Sequence, residues 1–267
     1  MGALDAVENW PVATAAVAVV RPDGVVASTG PDETMPWASV TKLLSALTVL
    51  VAVRDGVVTL DLPAGPPGST VRHLLSHASG LSPDDSTVLS PPGRRRIYSN
   101  SGFEQLADLV SERAGIPFAD LVDETVLAPL AMSATRLDGS PASAARGPLR
   151  DLAALGRELL APTLVPELMP EATQPVFPGL SGVLPGYGRQ SPNDWGLGFE
   201  LRDGKKPHWT GENNSPETFG HFGRSGTFLW VDPVAGLACA CLTDRDFGEW
   251  SIEAWPPLSD AVLQEYS

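Results

Sequence analysis

Residues 43–53 of this 267-residue chain are almost uninterruptedly apolar, and the run closes on Arg54-Asp55-Gly56. Ala, Leu and Lys favour helix, and burial offsets the cost of the weaker formers Val and Thr. A glycine just past a basic residue marks a helix C-terminus. A helix that is apolar on nearly every side has no face to offer to water. It has to run through the middle of the molecule with other elements packed round it.

Immediately before it stands Ser39-Val40-Thr41-Lys42. In a helix Ser39 and Lys42 share one face. A serine in the first turn meets the positive end of the helix dipole and free N–H groups, which favour a developing oxyanion. A lysine one turn on exchanges a proton with it if burial lowers the amine pKa. The alternative is a serine that only caps the helix, and the tetrapeptide alone leaves both open.

With 43% hydrophobic and 19% charged residues the chain is globular and long enough to bury a substantial core. Its 18 basic and 32 acidic residues give a formal charge of −14, and Arg94-Arg95-Arg96 is its one basic cluster, read as a solvated loop. That balance argues against a nucleic-acid partner. No basic, apolar leader opens the chain, and residues 12–20 and 39–53 are too short to cross a bilayer, so the expectation is a cytoplasmic protein with no membrane partner. Cys239 and Cys241 fall on one face of a strand-like run with their sulfurs too far apart to bridge easily, which predicts free core thiols in a reducing compartment. No cofactor or metal is expected. His73 and His77, four apart, lack a third ligand nearby and are read as structural.

Along the chain a short N-terminal helix precedes two β-prone stretches, 13–20 and 25–28, around the turn Arg21-Pro22-Asp23-Gly24. Helical patterns dominate from 37 to 160, including 70–76, 101–114 and 117–127. Residues 162–193, dense in Pro and Gly, read as an irregular surface segment. Strand patterns return at 196–202, 226–232 and 237–244, and a helix is expected over 259–266. Strands at both ends with helices between predict an α/β (α+β) fold. A central antiparallel sheet would be built from both termini (1–30 and 194–267) and flanked by helices, with a mostly helical lobe (31–193) inserted, all in one domain. Ser39 would lie where sheet and lobe meet, a usual place for a cleft.

Three further segments join the tetrapeptide. Arg72-His73-Leu74-Leu75-Ser76-His77-Ala78-Ser79-Gly80 comes first. Tyr98-Ser99-Asn100 then sets a phenol and an amide two apart just before a helix, and Gly220-His221-Phe222-Gly223-Arg224 leads into a strand. In this order the four segments resemble the serine β-lactamase and penicillin-binding protein superfamily, and within it the branch of class C β-lactamases, DD-peptidases and family VIII esterases, over roughly residues 12–243. The resemblance implies that Ser39 is the acylated nucleophile, Lys42 the amine that activates it, and Tyr98 a base sharing a proton with Lys42. It further implies that Asn100 orients the substrate and that His221 and Gly223 belong to a substrate-binding strand at a sheet edge. The backbone N–H groups of Ser39 and Arg224 would form the oxyanion hole. Such a set is what the chemistry requires: an unassisted serine is almost never deprotonated, so acyl transfer needs a base in hydrogen-bond reach and donors at the oxyanion. Whether Lys42 or Tyr98 takes the serine proton is not legible.

The chain departs from this pattern in three ways. His221 stands where true β-lactamases and peptidoglycan enzymes commonly carry lysine, and a histidine near neutral pH is often uncharged, which suits substrates without an essential carboxylate. The connection from Leu81 to Pro91 is short, leaving the cleft less covered there. No counterpart of the class A deacylating glutamate is found. The expected function is therefore a serine hydrolase working through an acyl-enzyme at Ser39 on small esters. The alternatives are a β-lactamase or D-Ala-D-Ala carboxypeptidase/D-aminopeptidase, or a sensor that binds an acyl group without turnover. The expected partner is a small-molecule ester, amide or β-lactam; the oligomeric state is not legible.

Overall fold

The computed structural model describes residues 2–267. After a 3-10 helix over Ala3–Asn9 come β1 (Ala15–Arg21), β2 (Gly24–Thr29), the short β3 (Met35–Pro36), α1 (Thr41–Arg54), α2 (Val71–Leu75), α3 (Asn100–Ala114) and α4 (Phe118–Val122). There follow β4 (Arg136–Leu137), β5 (Ala145–Gly147), α5 (Leu149–Leu160), α6 (Met169–Ala172), β6 (Gly182–Leu184), β7 (Gly188–Gln190) and β8 (Glu200–Leu201). The chain ends through β9 (Phe219–Gly223), β10 (Thr227–Asp232), β11 (Leu237–Thr243) and α7 (Glu249–Tyr266).

Six strands form one antiparallel sheet in the order β2-β1-β11-β10-β9-β8. The two ends of the chain meet in it, β1 pairing with β11 from Ala15↔Thr243 to Val20↔Ala238. The mixed fold with a sheet drawn from both termini is thus as the sequence predicts. Side chains alternate across the strands. Ala16, Ala18, Val20, Leu229, Val231, Ala240 and Leu242 join the core that contains α1 and α5. Val17, Val19, Phe228, Trp230, Cys239 and Cys241 join Leu4, Val7, Trp255, Leu258 and Val262 on the other face. Both cysteines are free and buried on that one face. Helices on both faces explain why β11 is buried at every residue.

Every residue of α1 from Thr41 to Ala52 is buried, Lys42 included. The helix stops where expected, with Gly56 in the left-handed region at φ 73°.

Three expectations are corrected. The helix expected over 259–266 begins at Glu249, because Trp255 and Leu258, both wholly buried, hold the helix across Pro256 and Pro257, which lack the N–H groups to continue it unaided. The 162–193 segment contains α6 and a hairpin of β6 and β7 paired Gly182↔Gln190 to Leu184↔Gly188. Arg96, read with its neighbours as solvated, is 2% exposed, while Arg94 and Arg95 are at the surface. Among the described residues no helix is long and apolar enough to cross a membrane.

Candidate active site

Ser39 lies in a 3-10 turn, Ala38–Val40, that leads directly into α1. Ala38 is left-handed at φ 44°, a conformation costing a non-glycine residue about 1–3 kcal/mol. The turn is gripped by the β9–β10 connection: Thr227 Oγ1 donates to Trp37 O at 2.9 Å and Ser225 Oγ to Pro36 O at 2.9 Å. Trp37 itself is buried and donates Nε1–H to Gly147 O at 3.1 Å. Gly223 is required here by close approach, since a Cβ on it would stand 2.5 Å from Thr227 Oγ1 and 2.6 Å from Trp37 O. Strand β9 therefore lies hard against the serine turn.

One turn into α1, Lys42 is 0% exposed. Its Nζ donates to Asn100 Oδ1 at 2.7 Å and to Ala142 O at 2.8 Å, and stands 4.7 Å from the centre of the Tyr98 ring. Burial draws its pKa from 10.5 down to about 7, against the opposing pull of Glu104 and Asp84. An amine that is half neutral at physiological pH is a competent proton acceptor.

Asn100 opens α3, and Ser99 caps that helix by accepting from Gly102 N–H. The Asn100 amide has both ends engaged: Oδ1 on Lys42, and Nδ2 donating to Asp84 Oδ1 at 2.8 Å. Tyr98 precedes the cap. Burial raises its phenol pKa above the ordinary range; the Ser39 hydroxyl faces it and pulls the other way, without closing to a full hydrogen bond, so Oη stands without a partner among the described residues.

His221 lies on β9 beyond the reach of the two-residue β8, which pairs only with Gly220 and Phe219, so residues 221–223 form a free sheet edge. Its Nδ1 is 2.6 Å from Phe222 O. A carbonyl only accepts, so Nδ1 carries the proton and Nε2 offers a lone pair, which is buried and unpartnered. Burial and the nearby Lys42 hold its pKa down at about 3, against the Phe222 carbonyl and Glu200. His221 is a neutral acceptor at any physiological pH. The Arg224 side chain is 89% exposed and makes only a solvent-screened approach of 3.9 Å to Asp246.

Ser39, Tyr98, His221 and Arg224 line one cavity of about 270 Å³; Lys42, Asn100 and Gly223 are not part of its lining. The remaining lining is chiefly apolar and aromatic, from Trp195, Phe222, Phe247 and the Leu184-Pro185-Gly186 tip of the β6–β7 hairpin. Sequence reasoning missed this tip, and it missed Glu200, a carboxylate that lines the cavity. Glu200 receives Lys205 Nζ at 2.6 Å, His208 Nε2 at 2.8 Å and Trp209 Nε1 at 2.9 Å. Burial works against its ionisation, but Lys205 and His208 hold its pKa at about 2. It is a fixed anion in a saturated network and not a proton acceptor.

A sequence profile of the family described as Beta-lactamase matches residues 7–263. The chain belongs to the β-lactamase family. A solved structure from Mycobacterium bovis, named as a β-lactamase, is 54% identical and superposes with a TM-score of 0.98 over 99% of each chain. A penicillin-binding protein of Bacillus subtilis is 28% identical over a stretch that is 38% of this chain and 30% of that protein. A D-alanyl-D-alanine-carboxypeptidase/endopeptidase of Escherichia coli is 25% identical over 41% of this chain and 38% of its own length. The matched stretches thus span about a third of these two relatives. Serine hydrolases acting on small amides, esters or β-lactams make up the family.

Proposed function

We propose that the protein is a serine hydrolase that acylates Ser39 and turns over small esters whose acyl group is apolar and carries no carboxylate. The observation that carries this is Lys42, a buried amine three residues on from Ser39, brought to about pKa 7 and standing 4.7 Å from the centre of the Tyr98 ring. In the first half-reaction the Ser39 hydroxyl attacks the ester carbonyl and its proton passes to the Lys42–Tyr98 pair, while the Ser39 and Arg224 N–H groups receive the oxyanion. Neither of these two N–H groups has a backbone acceptor among the described residues. The alkoxide then leaves with the proton from the pair, and water repeats the sequence in reverse to free the acid.

The ester preference rests on charge. The cavity wall presents a neutral His221 where a fixed cation would bind a carboxylate, aromatic rings, and a Glu200 whose charge is already matched by the buried Lys205. Only the solvent-exposed Arg224 offers a positive charge at the rim. The 54% identical M. bovis protein named as a β-lactamase favours a second activity, β-lactam hydrolysis by the same Ser39. Steady-state rates on short-chain p-nitrophenyl esters, nitrocefin and a D-Ala-D-Ala peptide separate the two. Ester turnover well above the other two is expected, lost in Ser39→Ala. A preference for nitrocefin or the peptide would overturn it.

A further inference from the structure

One residue outside this constellation holds the chain on both sides of the candidate phenol. The His77 carbonyl accepts Ile97 N–H at 2.9 Å, and His77 Nδ1 accepts Ser99 N–H at 3.1 Å. The residues before and after Tyr98 are therefore both bonded to His77. Its ring lies 4.7 Å from the Tyr98 ring, backed by Phe103 at 5.5 Å and by Trp195 edge-on at 4.6 Å. His77 is 1% exposed, and its backbone is left-handed at φ 56°, a state that persists in a non-glycine residue only where its surroundings over-determine it. Part of that surrounding is Arg96, whose buried guanidinium donates to the carbonyl of Ser76 and so fixes the peptide leading into His77. Because Nδ1 accepts an N–H, the ring is neutral with its proton on Nε2.

We propose that His77 is a positioning residue for Tyr98, its Nδ1 fixing the backbone at Ser99, the residue after the phenol, so that Oη faces Ser39. The assignment rests on Tyr98 acting on Ser39 as described above. A packed core histidine has no need of an acceptor at Nδ1 rather than Nε2, whereas the Ser99 N–H does.

That distinction makes the test. Asparagine places Oδ1 where histidine has Nδ1 and tolerates left-handed backbone, whereas glutamine places its oxygen where histidine has Nε2. Kinetics on a p-nitrophenyl ester, with melting curves recorded alongside, should show His77→Asn within about threefold of the native kcat and His77→Gln down about tenfold or more, with KM unchanged in both. Tyr98→Phe combined with His77→Gln should be no slower than Tyr98→Phe alone, because a residue acting through the phenol loses its effect once the phenol hydroxyl is gone. Equal losses in the two His77 variants, or losses that multiply in the double variant, would overturn the assignment. If His77→Gln melts below the assay temperature, His77→Asn decides alone: retained kcat supports the assignment and a tenfold loss in a folded protein overturns it. Native turnover in Tyr98→Phe would instead remove the role of Tyr98 itself, a result distinct from either.

Discussion

Lys42 Nζ donates to Asn100 Oδ1 at 2.7 Å, and Asn100 in turn donates to Asp84. The amide therefore orients the amine and passes it the influence of a carboxylate, while burial still draws the Lys42 pKa to about 7. The Lys42 charge state is thus poised between its two forms at physiological pH.

The first expectation is a pH profile. If neutral Lys42 accepts the serine proton, kcat/KM for an ester rises through about pH 7 and levels off above it, the limb belonging to Lys42. His221, held at about 3, contributes nothing to that limb. A profile flat from pH 5 to 9, on the order of that range, would remove Lys42 from the proton path.

Stability carries the same signature. The folded pKa of Lys42 lies below its unfolded value of 10.5, so the unfolded chain binds more protons between about 7 and 10.5 and stability rises with pH there. The penalty for the buried charge is whole below about pH 7 and gone above 10.5, with an upper bound on the order of 5 kcal/mol. Denaturation of native protein and Lys42→Met should therefore show the variant gaining relative stability as pH is lowered across that window. A difference independent of pH would contradict the lowered pKa.

Gly223→Ala tests the grip of β9 on the serine turn. The added methyl would meet Thr227 Oγ1 and Trp37 O at 2.5 and 2.6 Å, and the Ala38 Cβ at 3.1 Å. We expect a loss of about 1–3 kcal/mol in urea denaturation and an ester kcat/KM lower by about a hundredfold, because the displaced element carries Ser39. Native activity would show that the strand need not lie so close.

Arg96→Ala should be among the most destabilising single changes. Its guanidinium donates to the carbonyls of Ser76, Val176, Phe177 and Asn193, and removing it strands the buried carbonyls of Ser76, Val176 and Asn193 away from water. A loss of about 3 kcal/mol or more is expected from thermal or urea melts. A loss under about 1 kcal/mol would mean that water replaces the clamp.

These residues also show what the sequence makes legible. The buried helix and the strands at both ends follow from local patterns; Ser39, Lys42, Tyr98 and His221 are picked out only by the resemblance of four ordered segments to the superfamily, and the structure brings those four together. Arg96 is hidden because its partners come from three other segments, and a run of three arginines looks solvated until they are in place. Glu200 is hidden because its role depends on Lys205 and His208 folding back onto it. The start of α7 is masked by Pro256 and Pro257, whose local preference is overridden by burial of Trp255. The cavity wall at Leu184-Pro185-Gly186 comes from a three-pair hairpin too short to show a period.

The most direct measurement is peptide-resolved mass spectrometry after brief exposure to a fluorophosphonate or to an ester quenched in acid. One adduct on the peptide containing Ser39, absent from Ser39→Ala together with ester turnover, is the predicted result. An adduct on another residue, or turnover that survives in Ser39→Ala, would contradict acylation at Ser39.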